Sequence, residues 1–142
     1  MKILVATDGS KSALHAVKYA AKLLRSLASA SNSITLISVH DDVGLRHAMA
    51  FVGKAAAADY LRELSEKELK PARKLLDAEG IKHDMVVRTG HVAREIVDCA
   101  KAGRFDMIVL GAKGRNGLVD LLLGSVAQRV LAMAGCPVLL VK

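Results

Sequence analysis

The chain predicts an α/β protein: an open, doubly wound, five-stranded parallel sheet with helices on both faces. Two observations carry this. Short apolar, β-branched runs alternate with longer amphipathic runs along the whole chain, which is the order of βαβ units joined by right-handed crossovers. Hydrophobic residues make up 52% of the 142 residues, which suits a parallel sheet buried on both faces. A third observation points to function. A glycine-bearing loop, Gly111 to Ser125, follows one apolar run and leads into a helix, where open α/β sheets place anion sites. Residues 1–142 read as a single domain, long enough for its own core.

Taken in order, Lys2 to Thr7 is the first strand, and Asp8-Gly9-Ser10 ends it with residues suited to helix caps. From Ser12 to about Ala30, Leu14, Val17, Ala21, Leu24 and Ala28 recur every three or four residues and predict an amphipathic helix. Ser29 to Ser33 is a polar turn, and Ile34 to Val39 is the second strand. His40-Asp41-Asp42 reads as a solvated turn, because adjacent residues lack the spacing of a structural metal site. Asp41 to Lys54 has no clear period and reads as a loop with at most a helical turn. Ala55 to Glu79 is a helix striped by Leu61, Leu64, Ala72, Leu75 and Leu76, and Gly80 ends it. Pro71 inside it predicts a kink or break near Lys70. Lys82 to Arg88 is the third strand. Val92, Ile96, Val97 and Ala100 stripe the next helix, which His91 opens as a surface histidine, with Cys99 a buried, inert thiol. Asp106 to Leu110 and Pro137 to Val141 are the last two strands, with a helix between them.

The glycine loop has its own chemistry. Glycine lets backbone N–H groups come close to a phosphate, and a helix start presents donors with no partner in the helix. Ser125-Val126-Ala127-Gln128 fits a capping box, so Ser125 either caps the helix or turns its hydroxyl to a phosphate. Lys113 and Arg115 add positive charge. The spacing Gly111-x2-Gly114-x9-Gly124-Ser125 is neither a Walker A loop nor the Rossmann glycine fingerprint. Asp8, at the carboxyl end of the first strand, stands on the ligand edge of such a sheet. It suits a helix cap, a bond to a nucleotide hydroxyl or amine, or an approach to Mg²⁺ through water.

Composition narrows the classes. The net charge is +7, but Lys and Arg are spread along the helices. Tyr19, Phe51, Tyr60 and Phe105 are too few and too scattered to make a stacking platform, so nucleic acid is not an expected partner. No apolar run approaches ~18 residues, so no membrane span is expected. Cys99 and Cys136 form no metal spacing, and a cytoplasmic, reduced protein without a signal peptide is the expectation.

Three separated motifs resemble the universal stress protein family: Met1-Lys2-Ile3-Leu4-Val5-Ala6-Thr7-Asp8-Gly9-Ser10 at the start, the glycine spacing, and Cys136-Pro137-Val138-Leu139-Leu140-Val141 at the end. The resemblance covers essentially the whole chain and matches the ATP-binding branch. It implies strand order 3-2-1-4-5 and an ATP site, with Mg²⁺ bridging phosphate oxygens and no metal held by the protein alone. By the same resemblance, Gly111 and Gly114 wrap the phosphates, and Gly124, Ser125 and the N–H of Val126 hold them. Asp8 and the backbone of Val39 hold the nucleoside. Ala6, Thr7, Ala112, Lys113 and Arg115 complete the nucleotide-binding set. It further implies a homodimeric stress-response sensor or regulator, paired through the C-terminal strand; the sequence names no protein partner. AMP or cyclic AMP would share the adenosine contacts. Two rival readings stand beside this one. A slow ATP hydrolase would have only Asp120 and Arg115 near the phosphates, in no recognisable catalytic setting, so no catalytic residue is assigned. A nucleotide-free, partner-binding dimer would use the glycines only as loop residues.

Overall fold

β1 (Lys2–Ala6) is the centre of the sheet, because Ile3, Leu4 and Val5 can be buried only where both faces and both edges are covered. In the computed structural model, which describes residues 1–27, 29–113 and 123–142, these three side chains are fully buried. The chain continues through α1 (Lys11–Ser26), β2 (Ser33–His40), α2 (Asp42–Val52), α3 (Lys54–Ala78), β3 (His83–Thr89), α4 (Val92–Ala102), β4 (Met107–Gly111), α5 (Ser125–Met133) and β5 (Val138–Val141). The strands form one sheet in the order β3-β2-β1-β4-β5. Every neighbouring pair is parallel, with Leu4 opposite Thr35 on one side and Ile108 on the other.

Period-two alternation splits the core between the two faces. Ile3 and Val5 pack with Val17 and Leu24 of α1 and Leu69 and Leu76 of α3. Leu4 and Ile108 pack with Ile96 of α4 and Val130 of α5. Thus α1 and α3 cover one face, and α4 and α5 cover the other.

Four local expectations need correction. α1 stops at Ser26, short of Ala30, because the Leu27 N–H turns back to the Leu24 carbonyl and the Asn32 amide donates to the Leu24 and Leu27 carbonyls. Ala28, placed in its stripe, lies outside the described residues. The expected loop after β2 is instead the helix α2, opened by Asp41, whose carboxylate accepts from the Val43 N–H, and ended by Gly53 at φ +84°. α3 continues unbroken through Pro71, which sits on an exposed side of the helix. The missing N–H removes one ladder bond, and the rest of the long, packed helix keeps its helical bonding on either side. Its buried line runs through Ala57, Ser65, Glu68, Leu69, Ala72 and Leu76; of the predicted stripe, Ala72 and Leu76 are on it, while Leu61, Leu64 and Leu75 are only half-buried. Gly80 does end α3: at φ +64° it donates to Asp77, while Ile81 donates to Leu76, the paired bonds of a Schellman turn.

Candidate functional site

The strand order makes β1 and β4 hydrogen-bonded neighbours, and the helices that follow them leave to opposite faces of the sheet. That is the topological switch point, where the diverging connections open a crevice beyond the carboxyl ends of the strands. Two of the predicted motifs meet there. Ala6 ends β1, and Thr7, buried, bonds through its N–H to the Ile37 carbonyl of β2 at 2.9 Å. Asp8 follows at the crevice. Its Oδ1 accepts from the Ser10 N–H at 2.9 Å, which shapes the turn. The cap of α1 is Ser10, whose hydroxyl oxygen accepts from the Ala13 N–H, so Asp8 is not the cap.

Across the crevice, Gly111 ends β4 against the first turn of α1. A Cβ there would lie 2.4 Å from the Ser12 Oγ and 2.8 Å from the Ser12 carbonyl oxygen. The glycine is therefore required by helix–strand packing, whatever the loop does beyond it. The Ala112 N–H donates to Val141 at 2.8 Å, and the Lys113 N–H approaches Ser12 Oγ at 3.3 Å. Gly114, Arg115 and Asp120 lie outside the described residues. The loop returns at Gly124, whose N–H donates to the Ala112 carbonyl at 2.9 Å, so its two described ends are joined.

The capping box does not form. Gly124, not Ser125, is the N-cap residue of α5, and Gln128 donates its side-chain amide to the Leu123 carbonyl instead of reaching back to the helix start. Ser125 is an exposed first-turn residue with Val126 half-buried beside it. Among the described residues no side-chain hydrogen bond caps α5, so its first turn offers backbone donors and a partial positive charge, which suits an anion.

Val39 lies at the far side of the crevice, near the end of β2. The residue after it overturns an expectation: His40 is not in a solvated turn. Its side chain is 10% exposed and that of Glu68 on α3 is 6% exposed, with Nε2 of His40 3.7 Å from Oε2 of Glu68. Ser38 donates to Glu68 Oε2 at 2.8 Å, and Ser65 donates to the Leu61 carbonyl at 2.7 Å. Nε2 of His40 lies 2.9 Å from Ser65 Oγ and 3.2 Å from Ser38 Oγ, so the ring joins the same hydrogen-bonded cluster. Sequence reasoning missed this cluster. The available signal was a serine and a glutamate on the buried line of α3.

His91 opens α4 as an exposed residue, its Nε2 3.2 Å from an Arg129 guanidinium nitrogen. Burial pushes the Cys99 thiol above its ordinary value, with Arg88 opposing and Glu95 adding to the rise. Burial does the same at Cys136, joined by the Asp106 carboxylate. Both thiols therefore stay protonated near neutrality and are poor nucleophiles. Among the described residues, no cluster of three or more His, Cys, Asp or Glu side chains could hold a metal ion, and no helix is long and apolar enough to cross a membrane.

Comparison with known proteins agrees with this fold. A universal stress protein from the archaeon Methanocaldococcus jannaschii, MJ0531, is 36% identical over 141 residues, covering 99% of this chain and 81% of that protein. The solved structure of a second protein from that organism, MJ0577, superposes with a TM-score of 0.85 at 28% identity, over 99% of this chain and 94% of that one. Two more distant structures share the fold. One is a universal stress protein in complex with cAMP (TM-score 0.68, 23% identity, 100% and 97% covered), and the other an Arabidopsis thaliana family member with AMP bound (0.72, 20%, 100% and 91%). The universal stress protein family model matches residues 1–142, and the chain belongs to that family.

Proposed function

We propose that this protein binds an adenine nucleotide, ATP with Mg²⁺, in the crevice between β1 and β4, and acts as a homodimeric sensor or regulator in a stress response. The observation that carries the reading is the switch point itself: Asp8 and the glycine loop, about a hundred residues apart, come to adjacent strand ends whose helices diverge. The cAMP and AMP complexes of the two distant relatives support an adenine nucleotide as the ligand class.

The groups present suit such a ligand. Phosphates would rest on the first turn of α5, held by backbone N–H groups, including that of Val126, and by the exposed Ser125 hydroxyl, with Gly124 and the glycines of the loop giving close approach. Lys113 and Arg115 would add charge that salt screens. Asp8, with Ala6 and Thr7 behind it, would face a ribose hydroxyl, and the Val39 backbone the adenine edge. Mg²⁺ would bridge phosphate oxygens and keep most of its waters, needing few protein ligands.

Titration calorimetry with Mg-ATP tests the site. Asp8→Ala should weaken binding roughly ten- to a hundredfold, the loss of a hydrogen bond to a charged group. A branched side chain at Gly114 would fill the space a phosphate needs, so Gly114→Val should abolish binding and leave the far-UV spectrum intact. Wild-type affinity in both variants would place the nucleotide elsewhere.

A further inference from the structure

The Ser38–His40–Ser65–Glu68 cluster is a buried polar feature that the nucleotide reading leaves unused. It sits at the carboxyl edge of the sheet and ties β2 to α3. It also underlies the first motif. Gly9, at φ +77°, lies so close to α3 that a Cβ there would be 3.2 Å from both Cα and Cγ of Glu68. Glu68 therefore touches the backbone immediately after Asp8 and, through Ser38 and His40, brackets Val39 on both sides. Burying a carboxylate and an imidazole is unfavourable, and apolar residues of similar size are often the more stable choice. In some proteins such groups serve to fix one arrangement among several.

We propose that Glu68, acting through Ser38 and His40, is a positioning residue for the nucleoside end of the site. It holds the Asp8–Gly9 turn and the Val39 strand end at one fixed separation, so that ribose and adenine are gripped together. The phosphate end, built on β4 and α5, does not depend on it. This rests on the adenine-nucleotide reading above and adds to it a residue contributed by α3.

The test compares two ligands on the full chain: Mg-ATP, which needs both ends of the site, and inorganic tripolyphosphate, which needs only the phosphate end. Affinities are measured for the wild type, Glu68→Gln, Ser38→Ala, His40→Asn and a packing control, Leu69→Ala, a buried neighbour on α3. Glu68→Gln keeps the shape and replaces the carboxyl group by an amide. It should weaken ATP at least tenfold and change tripolyphosphate less than twofold, with Ser38→Ala and His40→Asn following in the same sense. Leu69→Ala should lower the melting temperature and leave the ratio of the two affinities unchanged. Should Glu68→Gln fail to fold, Ser38→Ala and His40→Asn carry the same comparison. Equal losses for both ligands, or wild-type ATP affinity in the cluster variants, overturn the positioning role and leave the nucleotide reading standing. A wild type that binds no ATP overturns both.

Discussion

A methyl group at position 111 would press on the backbone carbonyl of Ser12 as well as its hydroxyl, and a helix backbone yields less readily than a side chain. Gly111→Ala should therefore destabilise the fold by about 1–3 kcal/mol, the range for overpacking. It would appear as a lower denaturation midpoint with an unchanged slope. Gly114→Val, in the same loop, is expected to act on ligand binding and spare the fold. The motif spacing named Gly111, Gly124 and Ser125 together but could not assign their separate duties. Gly111 answers to α1, a helix a hundred residues away in sequence. Ser125 does not take the capping role, one of the two the sequence offered it, because Gly124 is the N-cap residue, a shift of one residue that no local pattern marks. The sequence hides His40 for a related reason: its neighbours Asp41 and Asp42 are polar, while its own partners come from α3, 25 and 28 residues on.

Among the elements, strands and long helices were legible because burial imposes a period, and α2 was not because little of it is buried. Its Val43, Phe51 and Val52 are exposed, so its apolar residues draw no stripe; only the Asp41 cap and Gly53 mark its ends. α3 offers the opposite lesson. Its length and register were readable, and the break expected at Pro71 was outweighed by packing on both sides of it. Replacing that proline restores the N–H facing the Lys67 carbonyl and removes the ring's clash with the preceding turn. Pro71→Ala should raise stability by about 1–3 kcal/mol, reduced somewhat by the greater freedom of the unfolded chain, and thermal melting will show it. An unchanged or lower melting temperature would mean that α3 already bends to accommodate the ring.

For the whole molecule, the order β3-β2-β1-β4-β5 leaves β5 at one edge, with Val138, Leu139 and Leu140 only half-buried. An apolar edge with unpaired backbone groups favours pairing, and a two-fold axis would set one β5 against another in an isologous contact. Light scattering should accordingly report a dimer mass, and Val138→Lys should shift it toward the monomer; a monomer at every concentration for the wild type would exclude the contact. The same strand order bears on how the protein is made. β1 is made before the other four strands yet lies in the middle, and its neighbour on one side, β4, begins only at Met107. The 66 residues from 41 to 106 lie between the end of β2 and the start of β4, so at about 5–20 residues per second roughly 3–13 s pass while β1 has a bare side. During that interval Ile3, Leu4 and Val5 would be open to a chaperone or to the β1 of a neighbouring nascent chain.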